Sequence, residues 1–494
     1  MNADKKLFYN GKIIGVGSNF STSEAMVVSE EKFIFFGSAE EAKKITDEYT
    51  KNIDLHGNIV SPRFSDAHLH LIEGGLGLTR LDLSGIKSKA EFQEKLFCYS
   101  KKNSEGWIIG VGWSEENFNG RYPDKSWIDK VIPTRPVMLI RRDLHTAWLN
   151  SKALEIVGIT NKSKSPAGGE IEFANGEPTG IIKDEVFFRI RGLLPKPSIE
   201  SKLEALKLAI AEAKKYGISG VHEMLFDFED LEVYKKYCEK FHDKDFGISL
   251  SVPIMKTGEL NKIDLHICDN INIIGVKGFA DGSLGAQTAW FFEPYENDKT
   301  NFGLATAEFV SGELEQKAIL ADSLGLQIAI HAIGDRAVHE VLNLYERLRL
   351  QNNQTNNIHR VEHAQHVKYS DIKRFSDLGL VASMQPYHFY FDKEPIINLL
   401  GKKRLKEAFP INELLANKTK VAFGTDFPVV ELNPKKGIKT IIGNFEDKIG
   451  QIHSISIEEA VKAYTKSSSE IANLGKGYLS VGDKAVFNVI EGLN

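Results

Sequence analysis

The feature that most constrains the fold of this chain is a repeated order of one strand followed by one helix. From about Ser201 onward, short apolar segments alternate with longer segments of helical periodicity. Such alternation predicts parallel strands joined by helical crossovers. With the earlier strand that ends in DAHLHL there are eight, carrying DAHLHL, SGVHEM, GISLSVPIM, NIIGVKGF, LQIAIHA, HRVEHAQ, VASMQPYH and KVAFGTDFPV. Eight such units predict an α/β fold of the TIM-like (β/α)8 barrel type.

The two ends of the chain have a different pattern, that of short strands separated by turns. Residues 1–60 contain little helical periodicity, and Asn10-Gly11 is a strong hairpin signal. The last segment, GYLSVGDKAVFNVIEGL, has the same character. We therefore expect residues 1–60 and 475–494 to form one composite β-sandwich domain.

A long segment, residues 79–197, interrupts the strand–helix repeat with apolar runs and scattered glycine and proline. Insertions in a barrel fall in the loops that follow its strands, and the active site lies at that end. We therefore expect an inserted α/β subdomain after the first barrel strand, over the active site. The barrel itself then comprises residues 61–78 and 198–474.

Length, charge and composition limit the classes of protein to which this chain can belong. A chain of 494 residues is too long for one simple core, and its net charge of −5 gives no sign of nucleic acid or an anionic membrane as partner. The opening MNADKKLFYNGK lacks the apolar region of a signal peptide, and no segment approaches the length of a membrane span. We expect a cytoplasmic protein whose partner is a small-molecule substrate, with a homodimer left open. The spacing of Cys98, Cys238 and Cys268 argues against a disulfide framework and a thiolate zinc site.

Metal-competent side chains recur where the predicted strands end. His68 and His70 lie two apart on an extended segment, so their imidazoles point to the same side of the strand and can present two nitrogens to one metal ion. In a barrel, catalytic residues stand at the carboxyl ends of the strands. Four further candidates end other strands, and these are Lys277, His331, His363 and Asp426.

Each of these candidates has an ordinary structural explanation when it is taken alone. A buried histidine often bonds to the backbone, and an aspartate at a strand end often caps the next turn. Lys277 is harder to explain in this way, because an ammonium in an apolar strand needs compensation of its charge. The coincidence of six such residues at matching ends of five strands favours a metal-dependent active site.

Seven blocks of sequence resemble one known family. The chain resembles the amidohydrolase superfamily, and within it the YtcJ-like branch that includes N-substituted formamide deformylase. The resemblance covers nearly the whole chain and is carried by SPRFSDAHLHL, RRDLHTAWLNSKAL, GGEIEFANGEPTGIIKDE, VKGFADGSLGAQTA, IHAIGDRAV, HRVEHAQHV and AFGTDFPV. Two departures are Arg63, which stands where the family usually has glycine, and an abrupt end at GLN that shortens the terminal sandwich.

The resemblance implies a distorted barrel with a β-sandwich built from both termini. It also implies a ligand set, namely His68, His70, His331, His363 and Asp426, with Lys277 as a bridging ligand in the form of a carboxylated lysine. Zinc accepts imidazole nitrogen and carboxylate oxygen, and one or two divalent ions per chain are implied, depending on whether Lys277 carries a carbamate.

The implied reaction is hydrolysis of a C–N bond other than a peptide bond, for instance in an N-acyl or N-formyl amide. Asp426 is placed to act as general base and then general acid. His145 matches a histidine of the family's inserted subdomain and is a second catalytic candidate, able to polarise a carbonyl. Further polar and aromatic residues are candidates for substrate binding, although each also has a structural explanation: Asp335, Arg360, His222, Trp113, Phe118 and Tyr387.

Two alternative functions stay open at this point. A mononuclear-metal deaminase of a cyclic amidine usually carries an H-x-x-E arrangement after the fifth strand, whereas this chain reads HAIGDRAVHE there. A non-catalytic regulatory protein that retains the barrel is the other alternative, and the complete ligand set argues against it. The loops that select the substrate carry no readable code.

Overall fold

The computed structural model describes residues 5–102, 106–118, 121–141, 146–166, 169–241, 243–285, 287–352, 357–443 and 454–493. The chain divides into two compact units. One unit is Met1–Gly74 together with Leu206–Asn494, and the other is Gly75–Ala205.

The first unit contains a sheet of eight parallel strands, which we label β1 to β8 in chain order. Each strand pairs with the next one, from β1 through to β8. The strands are β1 Phe64–Leu69, β2 Ile218–Met224, β3 Gly247–Pro253, β4 Ile271–Phe279, β5 Gln327–Ala332, β6 Arg360–His363, β7 Val381–Met384 and β8 Lys420–Phe423. A short strand, His266–Cys268, pairs antiparallel with β4.

The first and last barrel strands meet where they end. The backbone N–H of Asp426 donates to the carbonyl of His68 at 2.7 Å, and that of His70 donates to the carbonyl of Phe427 at 2.8 Å. These bonds bring β1 and β8 together at the carboxyl end of the sheet. The predicted TIM-like barrel is confirmed, and its closure places residues 68–70 beside residues 425–427.

Helices follow the barrel strands as the alternation predicts. In the helix Asp335–Gln351, Val338, Val341, Leu342 and Tyr345 are buried, and their spacing puts them on one face. The α-helices of this unit are Ala39–Lys44, Leu231–Lys240, Ala307–Val310, Glu313–Ser323, Asp335–Gln351, Tyr369–Asp377, His388–Leu400, Ile411–Ala416, Pro434–Ile441, Ile457–Lys462 and Ser468–Ile471. Shorter 3-10 helices are Phe228–Asp230, Ile254–Lys262 and Arg404–Glu407, and Ala463–Ser467 is a π-helix. Leu71–Thr79 and Ile199–Lys215 are helices that cross the boundaries between the units.

Both chain ends contribute to two small sheets outside the barrel. One sheet has the order Lys32–Gly37, Ala25–Ser29, Lys6–Tyr9 and Lys51–Asp54, and the other has the order Asn488–Ile490, Ile59–Ser61, Lys12–Val16 and Ser21–Ser23. Ile13 and Val60 from one sheet share a hydrophobic core with Met26 and Phe33 from the other. This arrangement confirms the β-sandwich formed by both termini.

The second unit is built on a mixed sheet of six strands. Their order is Gly169–Ala174, Glu177–Asp184, Thr146–Leu149, Val137–Arg141, Ile108–Trp113 and Leu81–Asp82. Val137 and Leu139 belong to one hydrophobic cluster and Met138 and Ile140 to another, because alternate side chains of a strand face opposite sides. The helices of the unit are Lys89–Lys102, Ser126–Asp129, Ser151–Ile156 and Glu185–Leu193, with a 3-10 helix at Glu115–Phe118.

One expectation about the cysteines needs correction. Cys238 and Cys268 form a disulfide, whereas Cys98 is free and exposed. The helix Leu231–Lys240 packs against the strand His266–Cys268, and this proximity depends on tertiary structure that the spacing of cysteines in the sequence does not reveal. Within the described parts of the chain, we find no helix with the length and apolarity needed to cross a bilayer.

Candidate metal centre

Three of the predicted ligands converge at the carboxyl end of the barrel. His68 lies within β1, His363 is the last residue of β6, and Asp426 follows β8. One ligand atom from each lies within 4.8 Å of the others, and all three residues are buried. The parallel order of the strands explains the convergence, because their carboxyl ends meet at one edge.

Hydrogen bonds fix which ring nitrogen of His68 and His70 is free. The Nδ1 atom of His68 lies 2.5 Å from Oε2 of Glu362, and that of His70 lies 2.6 Å from the carbonyl of Met224. A carboxylate and a carbonyl only accept, so Nδ1 carries the hydrogen in both rings. The Nε2 atoms face Oδ1 of Asp426, at 3.4 Å from His68 and 3.3 Å from His70.

This donor set fits a bound cation. Two imidazole nitrogens converge on one carboxylate oxygen, an arrangement that a positive charge among them stabilises. Against the opposing effect of burial, the Asp426 carboxylate raises the pKa of His70. Although burial opposes it, the neighbouring histidines hold the pKa of Asp426 well below its usual range. Burial lowers the pKa of His363 well below its usual value, so this ring is neutral, as a metal ligand must be. Its Nδ1 atom is buried and has no hydrogen-bond partner.

The backbone at two of these ligands adopts a left-handed conformation. The φ angles are +58° at Asp426 and +70° at His363, values that side chains other than glycine rarely adopt. Asp66 holds the first of these segments, because its carboxylate accepts hydrogen bonds from the backbone N–H and hydroxyl of Thr425. It also accepts from the backbone N–H of His68 at 3.0 Å. One buried carboxylate therefore ties the segment of His68 to the segment of Asp426.

Gly424 permits this close approach of the two segments. A Cβ atom at this position would lie 2.5 Å from the backbone nitrogen of His68 and 2.8 Å from Oδ1 of Asp66. Burial raises the pKa of Asp66 to about 7, although the hydrogen bonds that its carboxylate accepts act to lower it.

Lys277 and His331 lie beside the cluster but direct their terminal atoms elsewhere. The Nζ atom of Lys277 lies 3.7 Å from the ring centroid of Phe279. The Nε2 atom of His331 is 3.1 Å from the carbonyl of Gly282, although its ring packs 4.3 Å from that of His363, centroid to centroid. Burial lowers the pKa of Lys277 to about 8 and, together with the charge of Lys277, that of His331 to about 3.

Arg360 and His222 are supporting groups in this structure. Both are 0% exposed. Nε of Arg360 forms an ion pair with Oε1 of Glu362 at 2.8 Å. Nε2 of His222 lies 2.9 Å from the hydroxyl of Ser251. In this structure both contact other residues of the barrel interior, and their contact with substrate stays a prediction.

The other predicted substrate residues have varied positions. Asp335 begins the helix Asp335–Gln351 and accepts the backbone N–H of Phe292. The ring of Tyr387 stacks on that of Tyr390, with the centroids 5.8 Å apart. Trp113 and Phe118 belong to a hydrophobic core of the Gly75–Ala205 unit, the usual place of large aromatic residues. His145 lies outside the described residues.

Three polar residues near the ligands were not among the site residues predicted from the sequence. Asp66 occurs within the D-A-H-L-H segment, whose histidines carried the prediction. Oε2 of Glu223, at the end of β2, accepts the backbone N–H of Leu71, directly after His70. His388 begins a helix after β7, and its Nε2 atom lies 4.0 Å from Oδ2 of Asp426. The available signal was position, because all three stand near the carboxyl end of a barrel strand.

Comparisons with known proteins agree with the fold. Residues 51–493 match the amidohydrolase family. The protein LONG AFTER FAR-RED 3 of Arabidopsis thaliana is 32% identical, with 98% of this chain and 87% of that protein covered. YtcJ of Bacillus subtilis, described as a candidate amidohydrolase, is 31% identical over 99% of this chain and 94% of its own length. An N-substituted formamide deformylase of Arthrobacter pascens is 24% identical over 98% and 93%.

A solved structure extends the similarity to three dimensions. An uncharacterised metal-dependent hydrolase of Pyrococcus furiosus superposes with a TM-score of 0.77 at 28% identity, with 99% of both chains covered. The match therefore includes the terminal sandwich and the inserted segment as well as the barrel. The motifs, the barrel, the ligand cluster and these similarities lead to one identification: the chain belongs to the amidohydrolase family.

Proposed function

We propose that this protein is a metal-dependent hydrolase that cleaves a C–N bond other than a peptide bond. The observation that carries the proposal is the convergence of the free Nε2 atoms of His68 and His70 on Oδ1 of Asp426. His363 adds a further neutral imidazole beside them. Imidazole nitrogen and carboxylate oxygen are ligands that zinc prefers, so we propose zinc as the metal.

The residues divide the chemistry between them. His68, His70, His363 and Asp426 would hold the metal. A divalent metal, when bound, lowers the pKa of a water molecule and polarises a carbonyl. Asp426 is ionised, since its pKa is held well below the usual range. Its carboxylate can therefore accept the proton of the attacking water and deliver it to the leaving nitrogen.

An N-acyl or N-formyl amide is the substrate class that we favour. Its support is the likeness to N-substituted formamide deformylase at 24% identity across nearly the whole chain. The reaction also suits the site, because a departing amine must gain a proton and Asp426 can supply one. We further propose that Lys277 becomes carboxylated and would then help to hold a second metal, since it lies near the end of β4 and its charge interacts with those of Glu362 and Asp426.

The experiment that tests this function is a substrate screen with purified, zinc-loaded protein. The panel contains N-formyl, N-acetyl and longer N-acyl amines, a carbamate series, and cyclic amidines as probes for deamination. We expect release of free amine and carboxylate from N-acyl or N-formyl substrates, and no release by the metal-stripped protein. Ammonia release from the cyclic amidines without amide hydrolysis would replace this proposal with the deaminase alternative.

A further inference from the structure

His388 stands at the metal centre without a role in the reaction described above. It is the first residue of the helix His388–Leu400, which follows β7, and it is 7% exposed. Its ring stacks near that of His363, with centroids 6.5 Å apart and planes inclined by 24°. The position puts an additional imidazole directly beside the ligand cluster.

The hydrogen-bond partner of His388 determines where its proton lies. The Nε2 atom is 3.2 Å from the carbonyl oxygen of Thr425. A carbonyl oxygen only accepts, so Nε2 must carry the hydrogen. The same Nε2 atom lies 4.0 Å from Oδ2 of Asp426. The N–H therefore donates to the backbone directly before Asp426.

The two oxygens of Asp426 consequently have different surroundings. Oδ1 faces the Nε2 atoms of His68 and His70, at 3.4 Å and 3.3 Å. Oδ2 lies 4.0 Å from Nε2 of His388, beyond hydrogen-bond distance. Because the two oxygens are chemically equivalent, the quantity to be fixed is the direction of the whole carboxylate, and this direction depends on the backbone at Thr425 and Asp426.

A second carboxylate, which is partly buried, interacts electrostatically with His388. Asp392 lies one helical turn further along, and its Oδ2 atom accepts a hydrogen bond from Nε2 of Gln365 at 2.9 Å. Burial raises the pKa of Asp392, while the neighbouring charge of His388 and the hydrogen bond from Gln365 lower it. Gln365 follows the ligand His363 by two residues. The helix start is thus tied to β6 by the same segment that supplies a ligand.

We propose that His388 is a positioning residue that orients the carboxylate of Asp426 by holding the backbone before it, through the hydrogen bond from its Nε2–H to the carbonyl of Thr425. This inference rests on the proposed function, in which Asp426 transfers the proton. It assigns His388 no contact with substrate and no ligand role. Its action is to fix the backbone that carries Asp426, so that the carboxylate stays directed at His68 and His70 and the proton acceptor is already oriented when water attacks.

The test compares His388→Ala with His388→Gln in the zinc-loaded enzyme. Supporting groups around a metal site typically contribute about 10- to 100-fold to activity. We expect kcat of H388A to fall by about that factor, with KM within about twofold and zinc content unchanged. The glutamine amide can place an N–H near the position of Nε2, so H388Q should recover most of the loss. Equal losses in H388A and H388Q would overturn the proposal.

The double variant H388A/D426N shows whether His388 acts through Asp426. If it does, H388A should cost little further activity in a D426N background, because the oriented group is already gone. A full additional loss in that background would contradict the proposal. His366→Gln is the matched control, since His366 is also a buried histidine, 2% exposed, packed edge-on against Phe291. A loss in H366Q equal to that in H388A would show that any buried histidine has this effect.

A spectroscopic measurement makes the inference independent of any substrate. With Co²⁺ in place of zinc, the visible absorption bands report ligand geometry. We expect H388A to shift these bands, whereas H366Q and H388Q should leave them close to those of the parent protein. Unchanged bands in H388A would overturn the positioning role. A failed substrate screen with shifted bands would instead count against the proposed function alone.

Discussion

The Nδ1 atom of His68 lies 2.5 Å from the Oε2 atom of Glu362, and both side chains are shielded from solvent. Although burial raises its pKa, Glu362 has a pKa of about 2 because the charges of Arg360 and His68 favour its ionised form. An ionised carboxylate at Nδ1 fixes the ring orientation and keeps Nε2 free for a metal. Arg360, Glu362 and His68 thus form a continuous support beneath the metal centre.

We expect Glu362→Gln to weaken zinc binding by about 10- to 100-fold, because the amide carries no charge to hold the Nδ1–H of His68. Competition with a chelator of known affinity measures the change. Asp322→Asn is the matched control, since Asp322 is also buried and accepts hydrogen bonds from Asn352, Asn357 and His359. Its substitution should lower the free energy of unfolding and leave zinc affinity unaltered. If E362Q binds zinc as tightly as the parent protein, the charge of Glu362 does not contribute to metal binding.

Metal content is the most direct prediction from the cluster. The protein purified with zinc should contain one to two equivalents of a divalent ion per chain by elemental analysis. Changing both His68 and His70 to Ala should remove the ion, because the Nε2 atoms of both residues face the same oxygen of Asp426 and would serve one metal position. The exposed pair His56 and His266 offers a control double variant that should retain it. Full activity in metal-free parent protein would contradict the mechanism.

The barrel was predictable because its local signals agree with its tertiary structure. Each of the eight strands is a short apolar run bounded by turns, and the predicted segments match the observed strands from Phe64–Leu69 to Lys420–Phe423. Strand ends of a parallel sheet meet at one edge, so His68, His363 and Asp426 could be expected to converge before any coordinates were known.

Features that depend on depth or on distant packing were not predictable in this way. Arg360 and His222 occupy barrel strands, but the alternation of side chains shows which face a residue occupies and not how deep it lies. Cys238 and Cys268 meet only because a helix packs beside an extra strand. His388 lies at a helix start, where a lone histidine carries no pattern that distinguishes it from a structural residue.

Asp426→Asn tests the proton transfer. The amide can still occupy the space of the carboxylate but cannot accept a proton, so kcat should fall by several orders of magnitude while the fold and much of the metal remain. Steady-state kinetics on an amide found in the screen measures kcat, and elemental analysis of the same preparation measures the metal content. A fall of less than about tenfold would restrict Asp426 to a structural role.

Asp66→Ala tests the link between the two ligand segments. Removal of this carboxylate leaves three buried donors without their acceptor: the backbone N–H groups of His68 and Thr425 and the hydroxyl of Thr425. Each unsatisfied donor costs about 1–3 kcal/mol, so the free energy of unfolding of the metal-free protein should fall by about 3 kcal/mol or more. Urea denaturation measures it.

A matched control for Asp66 is available at the surface. Asp47 also accepts hydrogen bonds from a backbone N–H, a hydroxyl and a lysine, but the side chain of Asp47 is exposed to water. Asp47→Ala should change the free energy of unfolding by no more than about 0.5 kcal/mol. Similar losses in the two variants would show that burial of the Asp66 carboxylate does not determine its contribution.

The last prediction concerns the charge state of Lys277. Its Nζ atom lies over the ring of Phe279, and burial lowers its pKa to about 8, which favours the neutral amine. A neutral amine can add CO₂ and lose a proton to give a carbamate anion, which two cations would stabilise. Lys277→Ala should therefore remove one metal equivalent and most activity, and a short-chain carboxylic acid should partly restore both. Lys277→Arg keeps a cation near Phe279 but forms no stable carbamate, so it should show the same loss. Two full equivalents of metal in K277A, or an unmodified lysine in the fully loaded active enzyme, would contradict the carbamate and leave a single-metal site.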